Sequence, residues 1–277
     1  METTKEVAKR AQQQVGALAD VQEMFEDMDF SESESKDLLI PKILLMQGSS
    51  DRVKIDATHK AGDIIKSTDG KLLGCAREKD AKPVRFIPIF MYKTWVKKEV
   101  LGKGKLQYIE TTPVTPENTD QKWEQVEVID GVEHTYKLTK NINFYVILEE
   151  DFGNPLAVPH VLTYRSTSSK AASLLLNWFS ECNVAKKAKV MVDINTKQLM
   201  LPFAKVFELG GKTESNDEHT WFVFKTSEVE GIKDPKDERL AQLYNWYKVV
   251  SQYDHVKSVD NSDDATPVSG ESEQVKF

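Results

Sequence analysis

Cysteine is scarce: Cys75 and Cys182 are the two in a chain of 277 residues, more than a hundred positions apart. Neither a secreted disulfide framework nor a paired metal knuckle can be built from them, and both are expected as buried thiols. Long apolar runs are missing too, since a membrane helix needs about 18 to 20 such residues. The opening Met1-Glu2-Thr3-Thr4-Lys5-Glu6 lacks the apolar stretch of a signal peptide, and the cytoplasm is the expected compartment. The five histidines never approach one another or a cysteine at metal-ligand spacing. Nucleophile elbow, zinc-protease pair and dinucleotide fingerprint are all absent. Gly210-Gly211-Lys212-Thr213 invites comparison with a phosphate loop, but Val206 stands where that motif requires its first glycine. The segment also lies between two strand patterns and reads as a hairpin loop. The expectation is a binding protein with no catalytic residue, cofactor or metal.

The net charge of -7 divides unevenly. Residues 1 to 36 hold nine acids and four bases, residues 258 to 277 hold five acids and one base, and the stretch between is left slightly basic at +2. Within it, residues 82 to 105 carry Lys82, Arg85, Lys93, Lys97, Lys98, Lys103 and Lys105 against the single acid Glu99. A basic patch on a chain with acidic ends suits a protein that binds a polyanion, although lysines also stud strand edges to prevent aggregation.

Composition shifts mark an acidic N-terminal arm over 1–36, a folded domain over 37–257 and a flexible acidic tail over 258–277. In the domain, strand patterns run at 38–46, 62–65, 84–96, 126–129, 135–138, 141–148 and 158–164. Asp69-Gly70, Asp130-Gly131 and Gly153-Asn154-Pro155 supply turns. Ser166-Thr167-Ser168 reads as the cap of a helix over 170–179. A hairpin of 199–209 with 220–226 follows. A last helix over 235–253 carries the stripe Leu240, Leu243, Tyr244, Tyr247 and Val250. Many strands, few helices and no β-α-β alternation predict a mainly β fold with added helices (α+β), an OB-like antiparallel barrel with long insertions.

Val84 to Lys98 interleaves aromatic and basic residues, which together offer rings for bases and cations for phosphates. After Pro88, a residue that marks a bulge or an edge, period-two alternation sends Phe90, Tyr92, Thr94 and Val96 one way and Lys93, Trp95 and Lys97 the other. The first set is assigned to packing. The second, with Arg85, Lys98, Lys103 and Lys105, is assigned to nucleic acid, with Trp95 as a stacking platform. Tyr164 and Arg165, at a strand end, and Lys170, at a helix start, form a second candidate, because helix N-termini favour phosphates.

The tail carries Asp260, Asp263, Asp264, Glu271 and Glu273 and finishes on Phe277. In this it resembles bacterial single-stranded DNA-binding proteins and their bacteriophage analogues, an OB-fold followed by an acidic tail ending in phenylalanine. It departs from them in having Lys276 before that phenylalanine and in its long acidic N-terminal arm. The resemblance implies single-stranded DNA binding in replication or recombination, and recruitment of replication or recombination proteins through Asp263, Asp264 and Phe277. The alternatives are a structural or assembly protein of a virion and a recombination mediator or annealing protein.

Overall fold

The computed structural model describes residues 40–54, 58–78, 81–102, 105–154, 157–165, 170–217 and 220–252. The acidic arm, the acidic tail, the Ser166-Thr167-Ser168 segment and Lys103 lie outside the described residues. Among those described, ten strands form one sheet: β1 (Lys42–Leu45), β2 (Asp63–Lys66), β3 (Leu72–Cys75), β4 (Val84–Val100), β5 (Leu106–Pro113), β6 (Glu124–Ile129), β7 (Val132–Leu148), β8 (His160–Arg165), β9 (Lys205–Ser215) and β10 (Thr220–Gly231). Three helices accompany them: the single turn α1 (Asp51–Lys54), α2 (Ser173–Lys187) and α3 (Glu238–Val250).

The strand order is β10-β9-β4-β7-β8-β1-β2-β3, with β5 beside β4 and β6 beside β7. Its spine is the antiparallel pair of 17-residue strands β4 and β7, in register from Phe86 opposite Leu148 to Glu99 opposite Tyr136. One half of the spine lies in the body of the sheet. The other half runs out of it, flanked by β5 and β6, as a four-stranded arm. Where one antiparallel run over 135–138 and another over 141–148 is expected, a single strand is found. Thr139 and Lys140 break the apolar pattern because the arm has little core beneath it.

Pro88 sits at a bulge, as expected: Pro88 opposes Val146, Phe90 opposes Tyr145, and Ile89 is the extra residue. An inserted residue swaps the faces of everything after it. Before the bulge, Phe86 packs with Phe144, Phe207 and Leu209 beneath Leu175, Trp178, Phe179 and Cys182 of α2. After it, Phe90 and Tyr92 fall on the opposite face with Tyr145 and Ile147, covered by Leu240, Leu243, Tyr244, Tyr247 and Val250 of α3. The helical stripe read from the sequence is this buried face. Each such side chain, fully buried, contributes about 1.5–3 kcal/mol. The Trp178 indole N–H is satisfied by the Pro202 carbonyl at 2.8 Å.

The sheet is mixed and open rather than a closed antiparallel barrel. Strand β1 runs parallel to β8, while the other pairs are antiparallel. It nevertheless curls until β10 approaches the end of β1, and there a side chain replaces the ladder. The Gln47 amide donates to the Phe222 carbonyl at 2.9 Å and accepts from the Phe222 N–H at 3.0 Å. Deeper in the seam the Tyr164 and Thr226 hydroxyls meet at 2.6 Å.

The Gly210-Gly211 segment is not a loop. It lies inside β9, where Gly211 pairs with Phe224. A Cβ at Gly211 would fall on the Cβ of Ala76, whereas one at Gly210 would meet nothing within 4 Å. Gly211→Ala is therefore expected to destabilise by about 1–3 kcal/mol through overpacking, and Gly210→Ala to leave the urea midpoint unchanged or raise it.

His160, 3% exposed at the start of β8, has no hydrogen-bond partner for Nδ1 among the described residues. Burial first, and Lys66 second, push its pKa from the ordinary 6.5 down to about 4, against the opposing pull of Asp151, Asp69 and Glu150. The unfolded chain takes up this proton more readily than the folded one, so stability holds above about pH 6.5 and falls as pH drops toward 4. The loss is on the order of 3 kcal/mol. In denaturant melts across this window, His160→Gln is expected to flatten the slope.

Candidate nucleic-acid interface

In the arm, β4 and β7 alternate as period two requires. Lys93, Trp95 and Lys97 share the face of Ile142, Lys140 and Leu138, their direct cross-strand partners. Thr94 and Val96 share the other face with Asn141 and Thr139. The predicted division of β4 into two faces therefore matches the register, and Phe90 and Tyr92 are core.

Trp95 is 7% exposed and packs with Tyr136 and Leu138. Its indole N–H donates to the Asn118 carbonyl at 2.9 Å. The Lys140 ammonium, bonded to the Thr119 carbonyl and hydroxyl, stands 5.3 Å from the centre of its ring. Stacking a nucleobase on this ring requires the segment around Asn118 and Thr119 to move.

Lys97 pairs with Glu127 at 2.7 Å and lies 4.0 Å above the Tyr136 ring. Beside it the Glu99 carboxylate meets His134. Arg85 is held outside the arm by three acids: both oxygens of Glu149 at 2.9 and 3.0 Å, then Glu208 and Glu230, each at 3.7 Å. The cations that cluster along the chain are thus divided among carboxylates from distant strands. Residues 93 to 140 as a whole carry eight lysines and eight acids.

The remaining cations lie on the second face and at the edges. Lys98 stands opposite Lys137 on β7 and opposite Tyr108 on β5, and Glu124 lies beyond Lys137. Directly opposed side chains share a face, so Lys98, Lys137 and Glu124 lie on one surface of the arm. Arg165 is exposed at the end of β8, opposite Asn141. Its neighbour Tyr164 points the other way, fully buried against Phe144 and Phe224, and burial raises its hydroxyl pKa far above the ordinary value. Lys105 is exposed next to the β4–β5 turn, where the Leu101 N–H bonds its carbonyl. Lys170 is exposed just before α2, which begins at Ser173 with Ala172 in the cap position and no side-chain cap. Lys93 is half-buried on β4, where neither β9 nor β5 is paired.

Lys137, Lys140 and Tyr136 are the arm residues that reading along β4 missed. The available signal was the alternation Tyr136-Lys137-Leu138-Thr139-Lys140, which repeats on β7 the mixture seen on β4. Among the described residues no cluster of three or more His, Cys, Asp or Glu could hold a metal ion, and no helix is long and apolar enough to cross a membrane.

Truncating Trp95 removes the largest member of the arm's small cluster and leaves the Asn118 carbonyl with only the Gln121 N–H, at 3.4 Å, as donor. Trp95→Ala is expected to cost about 3–5 kcal/mol, measured by urea unfolding, with faster amide exchange along 93–100 and 134–140 than in the body. An unchanged midpoint would mean that the ring is not packed.

A comparison with curated proteins finds no match, and neither does a comparison with solved structures. A family profile described as Pam3 phage gp34-like protein matches residues 10–257, a span that covers the whole described sheet and its helices. The chain belongs to the Pam3 phage gp34-like protein family.

Proposed function

We propose that the chain is a non-enzymatic single-stranded DNA-binding protein acting in phage DNA replication or recombination in the host cytoplasm. The observation that carries the reading is the order of elements from Val84 onward: the meander β4-β7-β8, then α2, then the hairpin β9-β10, with β9 returning beside β4. An OB barrel has this meander and return, and it binds oligonucleotides on its second and third strands and on the loops joining strands one to two and four to five. The corresponding parts here are β7 and β8, the arm, and the β9–β10 turn. On that surface Lys98, Lys137 and Arg165 supply phosphate contacts and Tyr108 a ring, with Lys93, Lys97, Lys105 and Lys170 as further cations. Asp263, Asp264 and Phe277 serve a replication or recombination partner.

A fluorescent oligonucleotide titrated at two salt concentrations against duplex competitor tests the reading. Single-strand preference with steep salt dependence is expected, because released counterions drive such binding. Replacing Lys98, Lys137 and Arg165 by Gln should weaken binding to every oligonucleotide alike and lower the salt slope by about one for each phosphate left without its cation. Deleting residues 258–277 should tighten binding at low salt by removing a tethered anion. Duplex binding as strong as single-strand binding, or no binding at all, would overturn the proposal.

A second reading, an assembly protein of the virion, is favoured by the arm's tip. Trp123, Val126, Val128 and Val132 are each more than half exposed there, on or beside the edge strand β6, and exposed apolar patches of this kind mark contact surfaces. Failure of the titration together with concentration-dependent assembly would select it.

A further inference from the structure

Strand β4 is covered along one side by two partners that do not meet. Strand β9 pairs with it from Val84 to Phe86, and β5 pairs with it from Thr94 to Val100. Between them the edge is open. The direction of the main chain in this gap follows from one bond: the Lys93 carbonyl accepts from the Val114 N–H at 3.0 Å, where β5 peels away. Lys93 therefore turns its main-chain groups to the open side, Tyr92 turns its own to β7, and Met91 again faces the opening. Among the described residues, no strand neighbours the N–H and C=O of Met91 or the N–H of Lys93 there.

Two cavities of about 330 and 270 Å³ lie along this edge, and Met91 and Lys93 line both. Val114 and Pro116 wall the first; Leu176 and Phe179 of α2 and Tyr247 of α3 wall the second. The walls are apolar or uncharged except for Lys93, which has no carboxylate partner among the described residues. In this Lys93 differs from Lys97, four positions along, which is held by Glu127.

We propose that the open edge of β4 from Pro88 to Lys93 is a strand-addition site. Its occupant is an extended segment of a partner protein, apolar at alternate positions and carrying a carboxylate that meets Lys93. Main-chain bonds to Met91 and Lys93 give affinity, and the two cavities take the alternate side chains. An edge lysine guards against indiscriminate pairing, so the same residue that excludes apolar strands selects an acidic one. This site shares Lys93 with the cations proposed for nucleic acid but uses none of Lys98, Lys137 and Arg165, which lie elsewhere on the sheet.

The test is to pan a random displayed peptide library against the full chain and to synthesise the enriched peptides. The expected result is a short alternating apolar motif with one Asp or Glu. Its binding should fall about tenfold in Lys93→Glu, as expected for a reversed charge pair, and should vanish when alternate peptide amides are N-methylated. The methylated peptides leave the protein unaltered, so their loss of binding cannot come from misfolding. No enrichment, or enriched peptides indifferent both to Lys93→Glu and to N-methylation, would overturn the proposal. Dimerisation of the unliganded chain that Lys93→Glu abolishes would overturn it in favour of a second copy of the chain.

Discussion

Everything in this fold hangs on the pairing of β4 with β7. Two 17-residue strands in register from Phe86–Leu148 to Glu99–Tyr136 form the one ladder shared by the body and the arm. The bulge at Pro88 divides that ladder in function. On the body side it aims Phe86 at α2 and Phe90 at α3, so both faces of a single strand are buried under helices. From Thr94 outward the helices end, and the same strands must be stabilised by ion pairs, a tryptophan and two flanking strands.

The chemistry of the arm follows from that change of surroundings. With little apolar cover available, lysines are retained on both faces. On the face of Trp95, Lys97 is matched by the Glu127 carboxylate and the Tyr136 ring. Those on the other face, Lys98 and Lys137, stand opposite each other.

Features fixed by local chemistry were legible in the sequence. The ring of Pro88 removes a ladder donor and marks the bulge; Asp130-Gly131 adopts the positive φ values of 52° and 78° that a two-residue hairpin needs; the stripe on α3 announces its buried face. Features that depend on distant partners were not. Strand β3 has four residues and β5 has no buried one, so neither shows the alternation of a half-buried strand. The basic residues of β4 were identifiable as a cluster, but their neutralisation comes from Glu127, Glu149 and Glu208, tens of residues away in the chain. The glycine pair in β9 read as a turn, because nothing local discloses that Ala76 presses against Gly211.

The small buried cluster of the arm, Trp95, Tyr136 and Leu138, has a dynamic consequence. A strand that is anchored at one end by two helix-covered cores and at the other by three side chains cannot open uniformly. Opening free energies run from near zero to the global value in such cases, so the outer halves of β4 and β7 are expected to open at lower free energy than the body. Because those halves belong to the same continuous strands as the body, with no linker between them, any molecule that stiffens the tip must also alter fluctuations at the bulge. The protein thereby possesses a conduit between its periphery and its core that is covalent along its whole length.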